Sequence, residues 1–198
     1  MVVHKAATYE VRRYAPSVIA ECSYGQGGWG AGNDGSPFGA LARYIGVFGT
    51  PQNAAGSGGE KIPMTAPVLV TAAAAEPEPI AMTAPVLVSA TEKSHTMAFV
   101  LPASKYSTVA EAPQPTDPRV TLRQLPERLQ ASRTFTWSFT PERAKAQLQL
   151  LLADLASDGW SVRKTASGEP DWQAAGYNPP FAVPFLKKNE VLVHVEEK

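Results

Sequence analysis

The sequence predicts an α+β fold in which an antiparallel sheet carries two helices. Short β-favourable segments alternate with two helical segments, and each helical segment begins at a Ser-Pro or Thr-Pro pair. The elements follow the order strand, strand, helix, strands, and that order then repeats along the 198 residues. Strands joined by short connections should pair antiparallel. We therefore expect a sheet or open barrel with both helices packed on it.

The strands are expected where β-favourable residues cluster between turn signals. Partial alternation over Tyr9–Tyr24 indicates two short strands, which Pro16 separates because proline cannot donate to a strand ladder. Within a later strand, Phe135, Trp137 and Phe139 should share one face. The further strands are expected at Thr96–Leu101, Val120–Leu125, Arg133–Phe139, Trp160–Thr165 and Glu190–Val195.

Both helices have clear starting signals. Ser36 is expected to cap a helix over Ser36–Phe48, and Thr140 one over Pro141–Gly159, with proline at each first helical position. The first apolar stripe comprises Phe38, Leu41, Tyr44, Ile45 and Phe48, and the second comprises Leu148, Leu151, Leu152 and Leu155. The other side of the first helix is small and mildly apolar with one cation, which is unusual for a solvated face. It carries Gly39, Ala42, Arg43, Gly46 and Val47.

Two further segments have unusual composition. The heptapeptide MTAPVLV occurs at Met64–Val70 and again at Met82–Val88, which indicates a hairpin whose loose tip includes Thr71–Pro79. Two copies are too few for a repeat architecture. Gly25–Gly35 contains a G-x-G-x-x-G pattern, but the next helix begins several residues later. We interpret it as a mobile surface insertion rather than a dinucleotide site.

Composition excludes several classes of protein. Eighteen basic residues balance eighteen acidic ones, which argues against nucleic acid as a main partner. No stretch is long and apolar enough for a transmembrane helix, and the N-terminus has no signal-peptide pattern. Cys22 is the one cysteine, so no internal disulfide can form, and we expect it to lie half-buried in a strand. We expect one domain over residues 1–198, monomeric and cytoplasmic, with a plastid as the alternative location.

Neither a metal site nor a catalytic site is predicted. His4, His95 and His194 are far apart in the sequence and lack ligand spacing, so each is interpreted as a surface or hydrogen-bonded residue. Met64 and Met82 are interpreted as core residues. No Ser/His/Asp arrangement stands out, and the acidic residues show no clustering that would single out a general acid/base pair. The acidic residues considered were Glu10, Glu21, Glu60, Asp154, Asp158 and Glu190.

The segment before the last strand is the most informative about function. Tyr177–Phe181 reads YNPPF, Phe185 lies just beyond it, and Lys187 and Lys188 follow at once. Exposed aromatic rings beside two cations suit a flat apolar ligand that carries carboxylates. A proline-rich turn packed on the core and followed by a solvated charge pair explains the same residues, so the pattern leaves both interpretations open.

These motifs together resemble the SOUL/haem-binding-protein family. The resemblance spans Thr8 to Val195 with its motifs in the family's order, and the combination of KIPMTAPV with the YNPP…KNEV ending is specific. The matching segments are Tyr9–Tyr14; Phe38, Leu41, Tyr44 and Ile45; Lys61–Val68; Phe99–Pro102; Tyr177–Pro180; and Lys188–Val191.

The resemblance implies a distorted antiparallel β-barrel built from two strand-helix-strand-strand halves, with non-covalent binding of haem and other porphyrins. The ligand would lie in an apolar groove between the first helix and the loop before the last strand, where basic groups meet the propionates. Carried onto this sequence, the binding residues are Phe38, Ala42, Arg43, Val47, Phe181, Val183, Phe185 and Lys187. Lys188 is a further possible partner for a propionate.

The sequence departs from the family pattern in four places, and two of them, the duplicated MTAPVLV and the Gly25–Gly35 insertion, distinguish it from the shorter animal members. Some relatives have a histidine, proposed as an axial iron ligand, where this chain has Arg13, and some have a lysine where it has Ala182 and Val183. We therefore expect a non-enzymatic carrier, buffer or sensor that holds the macrocycle by shape and apolar surface. Two alternatives remain: an enzyme that modifies tetrapyrroles, and a regulatory module whose MTAPVLV hairpin offers an edge to a partner.

Overall fold

The computed structural model describes residues 1–24, 36–56, 58–64, 68–72, 95–178 and 183–197. The predicted glycine-rich insertion, the second MTAPVLV copy and Phe181 lie outside these residues. Within them are β1 Val2–Lys5, β2 Glu10–Tyr14, β3 Ser17–Tyr24, α1 Pro37–Ile45, β4 Val68–Ala72, β5 His95–Val100, β6 Val120–Leu125, β7 Arg128–Phe135, α2 Pro141–Ser157, β8 Trp172–Gly176 and β9 Asn189–His194. Short 3₁₀ turns occupy Val109–Glu111 and Pro184–Leu186.

The nine described strands form one antiparallel sheet in the order β1-β2-β7-β9-β8-β4-β5-β3-β6. The expected repetition of elements is present, because β2-β3-α1-β4-β5 is followed by β6-β7-α2-β8-β9. The halves meet where Val68 of β4 pairs with Gly176 of β8. Each half also gives its first strand to the other, since β2 pairs with β7 and β6 pairs with β3.

The sheet is strongly curled. Only Ala15 and Pro16 separate β2 from β3, although these strands lie six places apart in the sheet. Six interstrand spacings would span about 29 Å in a flat sheet, whereas the connection reaches about 10 Å. Curling also brings Arg128 Nη1 of β7 to 3.3 Å from Ser17 Oγ of β3. In the described chain β1 and β6 end the pairing series, so closure into a barrel is not confirmed.

Both helices pack on one face of the sheet, and the other face lines the inside of the curl. The buried core under α1 includes Val18, Phe99 and Tyr44, and the core under α2 includes Val11 and Val191. We call the opposite side of the sheet the interior face. Its buried apolar residues are Ile19, Leu69, Ala98, Leu125, Ala175 and Leu192.

The helices begin where the sequence predicts. Ser36 Oγ accepts the Gly39 N–H at 3.0 Å, and Thr140 Oγ1 accepts the Arg143 N–H at 3.4 Å. The first helix ends at Ile45, earlier than expected, because Gly46 adopts a left-handed φ of 80° and caps it. A side chain at Gly46 would also collide with Pro51, whose Cγ lies 2.6 Å from the Cβ position.

Several predicted strands need correction. β7 covers Arg128–Phe135 rather than Arg133–Phe139, and Trp137 lies beyond it with a φ of 76°. Phe135, Trp137 and Phe139 therefore do not line one face of a strand. Trp160–Thr165 forms only isolated bridges, from Val162 to Val195 and from Lys164 to Pro170. β1 and β8 were not predicted; β8 reads WQAAG, and pairing with β4 and β9 holds this weak strand former in the sheet.

Candidate functional site

Apolar side chains connect the start of α1 to the end of β8. Phe38 packs edge-on against Phe99, with ring centroids 5.5 Å apart, and Val68 packs against the same core. Phe139 packs against the cores under both helices and lies 3.5 Å from the Cβ position of Gly176. We call Phe38, Val68, Phe99 and Phe139 the apolar strip. It leads from the first helix to the segment that the sequence singles out.

That segment is the loop of the β8–β9 hairpin, residues 177–188, which we call the hairpin tip. Its two ends are tied together, because the Tyr177 N–H donates to the Lys188 carbonyl at 3.2 Å and the Lys188 N–H donates to Asn178 Oδ1 at 2.6 Å. Between these ends, three large apolar side chains face solvent: Val183 is 46% exposed, Phe185 58% and Leu186 67%. Such a group of exposed apolar side chains is typical of a binding surface.

A buried carboxylate anchors the hairpin tip from the interior face. Glu190 has no exposed surface, and Arg12 Nη1 lies 3.1 Å from both of its oxygens. The Tyr177 hydroxyl donates to it at 2.6 Å, the Thr134 hydroxyl at 3.3 Å, and Lys188 Nζ lies 3.4 Å away. Burial raises the pKa of Glu190, but the hydrogen bond from Tyr177 and the charge of Arg12 outweigh burial and hold the pKa below its ordinary value. The residues on both sides of the tip are thereby fixed.

The sequence did not reveal this network. Glu190 looked like an isolated carboxylate, yet it joins Arg12 of the first family-like motif to Tyr177 and Lys188 of the last. One local signal was present: Glu190 stands next to the apolar run Val191–Val193 in a strand. A carboxylate at such a position needs a buried partner, but nothing in the sequence says that Arg12 supplies it.

The histidines lie away from the apolar strip. His194 is 7% exposed, and its Nε2 lies 3.2 Å from Gln130 Nε2. Its Nδ1 lies 3.1 Å from Asp171 Oδ2, but the geometry of this second contact does not meet that of a hydrogen bond. Burial raises the pKa of Asp171, but His194 and Arg163 outweigh burial and bring it to about 2. His4 contacts the rings of Tyr9 and Trp160, and His95 contacts Tyr24. Across the described ranges, no group of three or more potential metal ligands occurs.

The predicted residues of α1 differ in accessibility. Phe38 is half-buried in the apolar strip, and Val47 is 45% exposed beyond the C-terminus of the helix. Ala42 has no exposed surface, because it packs inside the core, and so it has nothing to offer a ligand in this arrangement. Arg43 is half-buried, and its charge acts on the nearby carboxylate of Asp117. The pKa of Asp117 is lowered mainly by its hydrogen bonds from Arg119 and further by the charge of Arg43.

The polypeptide that follows α1 covers part of the predicted ligand face. Backbone N–H groups of Gln52 and Ile62 donate to the carbonyls of Arg43 and Ile45, at 2.9 and 3.1 Å. Asn53, itself buried, donates to the Tyr44 carbonyl at 2.8 Å. This segment therefore covers the last turn of α1, while Phe38 in the first turn is half-buried and Val47 beyond the helix is exposed.

The predicted residues of the hairpin tip are more accessible. Val183 and Phe185 are exposed and Lys187 is half-buried. Lys188 already has structural partners, since it pairs with Glu190 and lies 4.7 Å above the Tyr177 ring. Cys22 lies in a strand, β3, as expected, but it is fully rather than half-buried, and burial raises the pKa of its thiol. Neither described helix is long and apolar enough to cross a membrane.

Solved structures with the same fold include proteins of different description. The chain is similar to the C-terminal domain of EcmrR, with a TM-score of 0.54 and 9% identity, over 96% of this chain and 98% of that one. It is similar to a hydrolase encoded by lin2189 from Listeria innocua, with a TM-score of 0.54 and 10% identity, over 96% and 92% of the two chains. At these identities the likeness shows the fold alone. A search among curated proteins finds no match.

The family is shown by the sequence as a whole. A sequence model described as SOUL heme-binding protein matches residues 1–194, which include every strand and helix of both halves. The motifs that meet at Glu190, and the segments that form α1 and the hairpin tip, all lie within this match. The chain therefore belongs to the SOUL heme-binding protein family.

Proposed function

We propose that this protein binds haem and related tetrapyrroles non-covalently, and acts as a carrier or buffer that leaves the macrocycle unchanged. The proposed surface runs from Phe38 past Val68 and Phe139, the half-buried members of the apolar strip, to the hairpin tip. At the tip Phe181, Val183 and Phe185 contribute, whereas Phe99 is buried beneath the strip. The observation that carries the proposal is the exposure of Val183, Phe185 and Leu186 on a tip that is fixed from below by Glu190. Membership of a heme-binding family gives the ligand class.

Apolar contact supplies most of the proposed affinity. Covering a few hundred Å² of porphyrin and protein surface at about 25 cal/mol/Å² gives several kcal/mol before the cost of association. This is consistent with a dissociation constant in the micromolar to nanomolar range without a bond to iron. The two ends of the tip are already tied together by the hydrogen bonds between Tyr177, Asn178 and Lys188, which reduces the ordering that binding requires of these ends.

Cations at the edge of this surface would orient the ligand. We assign the propionate contacts to Arg43 and Lys187, which are both half-buried. Lys188 is a further candidate, and it also pairs with Glu190 and lies above the Tyr177 ring. Val47 would extend the apolar contact at the far end of α1. Ala42 is left out of the proposed contacts because it is fully buried.

The first experiment compares apolar substitutions in a haem titration followed by absorbance. Phe185→Ser should weaken haem binding about tenfold or more, which corresponds to about 1.4 kcal/mol. Leu150→Ser is the matched control, since Leu150 is 49% exposed on α2 and lies outside the proposed surface. Equal affinity of wild type and both variants would contradict the proposed surface.

The second experiment removes one cation at a time. Arg43→Gln should weaken haem binding severalfold, whereas Lys164→Gln, the same change of charge at an exposed distant position, should leave it within twofold. Unfolding curves of both variants establish that the fold is intact. A loss of affinity that is equal in the two variants would show that only net charge matters.

The third experiment tests two points: that no side chain of the protein needs to ligate the haem iron, and that the protein does not degrade haem. Free-base protoporphyrin should bind within about tenfold of haem, because apolar contact dominates; a much larger preference for the iron form would overturn this mechanism. The haem complex should also keep its Soret absorbance with a reductant and oxygen present. Steady loss over several turnovers would identify an enzyme instead of a carrier.

A further inference from the structure

A concave site lies in the second half of the molecule, between the end of β7 and the first turns of α2. Its volume is about 350 Å³, and its lining includes Phe135, Trp137, Arg143, Ala146 and Gln147. This volume is at the small end of the range of about 300–1,000 Å³ that is common for small-molecule sites. None of these five residues belongs to the surface proposed for haem.

The backbone holds Trp137 in an unfavourable conformation. Its φ is 76°, in the left-handed region that large side chains rarely adopt, and the Asn189 side-chain amide donates to its carbonyl at 2.9 Å. The indole nevertheless remains 51% exposed rather than buried in the core. Strained residues of this kind are concentrated at ligand sites.

Two hydrogen-bond donors accompany the indole. The Arg143 guanidinium lies 6.0 Å from the Trp137 ring centroid and has no carboxylate partner among the residues that the structure describes. Gln147 Oε1 accepts from Arg133 Nε at 3.0 Å, which turns the carbonyl of this amide toward Arg133. Its NH₂ group has no partner within the described ranges and can donate to a ligand. A cation and an amide donor beside an aromatic ring suit an anion attached to a flat apolar group.

We propose that this cavity binds a planar aromatic acid of one or two fused rings. The ring stacks on the indole of Trp137 and contacts Phe135, and the carboxylate accepts hydrogen bonds from Arg143 and Gln147. The small volume and the local charge select this class over a whole tetrapyrrole. This site is therefore additional to the haem surface.

The test uses 2-naphthoate as the probe and follows the indole N–H signals of the full chain by NMR. Trp137→Gly identifies the Trp137 signal, and glycine suits the left-handed backbone, so this variant should stay folded. In wild type, 2-naphthoate should shift the Trp137 signal in a saturable way. Arg143→Met should raise the dissociation constant at least tenfold, and neutral 2-naphthylmethanol should bind at least tenfold more weakly.

Matched controls separate this site from charge effects and from the haem surface. Lys145→Met removes an exposed cation from the same helix and should leave the dissociation constant within twofold. Haem affinity should be unchanged in Arg143→Met. The proposal for this cavity and the proposal for the haem surface can therefore be tested independently. The proposal is overturned if millimolar 2-naphthoate leaves the Trp137 signal in place, or if Arg143→Met binds it as wild type does.

Discussion

The two helices differ in how much of their own surface is buried. In the first half of the molecule, α1 has buried residues on nearly every side, whereas in the second half α2 has them along a single stripe. Six of the nine residues of α1 are buried, including Gly39 and Ala42 on the side away from the apolar stripe. Ala144, Leu148, Leu151 and Leu155 are the buried residues of the 17-residue α2. The segment after α1 hydrogen-bonds to its last turn, and Tyr106 and Ala112 pack in the same core as the helix. A small-residue helix face can therefore indicate a covering loop as well as a ligand.

The interior faces of the last strands of the two halves also differ. β5 presents Thr96, Ala98 and Val100 to the interior, whereas β9 presents Glu190, Leu192 and His194. The interior side of β5 thus carries small and apolar groups, whereas that of β9 carries the charge of Glu190, which is paired with Arg12 of β2. The polar network lies beneath the hairpin tip, where Glu190 holds Tyr177 and Lys188 at the two ends of the tip.

The largest expected loss of stability comes from a substitution on the interior side of β9, compared with one on the interior side of β5. Glu190→Ala should lower the free energy of unfolding by about 3 kcal/mol, because the Tyr177 hydroxyl loses its acceptor and Arg12 keeps only Glu10 as a carboxylate partner within the described part of the chain. Thr96→Ala, at an interior-facing position of β5, should cost less than about 1 kcal/mol. Denaturant unfolding measures both changes. A cost below 1 kcal/mol for Glu190→Ala would show that the network does not stabilise the second half.

The next largest loss of stability is expected when an alanine is enlarged on α1 rather than on α2. Ala42→Leu should destabilise by about 1–3 kcal/mol, because a larger side chain has no room at a fully buried position. Ala153→Leu on the exposed side of α2 should change stability by no more than about 0.5 kcal/mol. The measurement is again denaturant unfolding. If both leucines are tolerated equally, the second side of α1 is open rather than packed.

The third effect is a pH dependence that belongs to the second half. The pKa of Asp171 is lowered from 3.8 to about 2 in the folded protein, so its stabilisation is present above pH 3.8 and is lost as the pH falls through 2. By pH 3 the loss should be about 1 kcal/mol. Asp171→Asn should remove this component from unfolding measured between pH 6 and pH 3. An unchanged slope would contradict the assignment to the contacts with His194 and Arg163.

The smallest effect compares the helix caps. Ser36→Ala should cost about 1 kcal/mol, and Thr140→Ala should cost about the same or less, because its hydrogen bond of 3.4 Å is longer than the 3.0 Å bond of Ser36. Ser36→Gly and Thr140→Gly serve as controls that should cost only a few tenths of a kcal/mol. A reversed order would mean that the cap of α2 contributes more than its geometry indicates.

Elements with strong local signals were predicted well. Both helix starts follow from a capping hydroxyl and a proline, and the break between β2 and β3 follows from Pro16. β8 and Trp137 were missed for a common reason. The WQAAG segment is a strand only because β4 and β9 flank it, and the left-handed backbone of Trp137 leaves no mark in the sequence.

The sequence by itself determined the α+β class, the repeated order of elements, the capped helix starts and the family. These depend on residues within one turn or one strand of each other, or on motifs in a fixed order. The tertiary structure decided the curl that brings β2 beside β3, the burial of Ala42, the partners of Glu190 and the cavity beside Trp137. Those features depend on contacts between distant segments, whose geometry is set only when the strands pair and the loops pack.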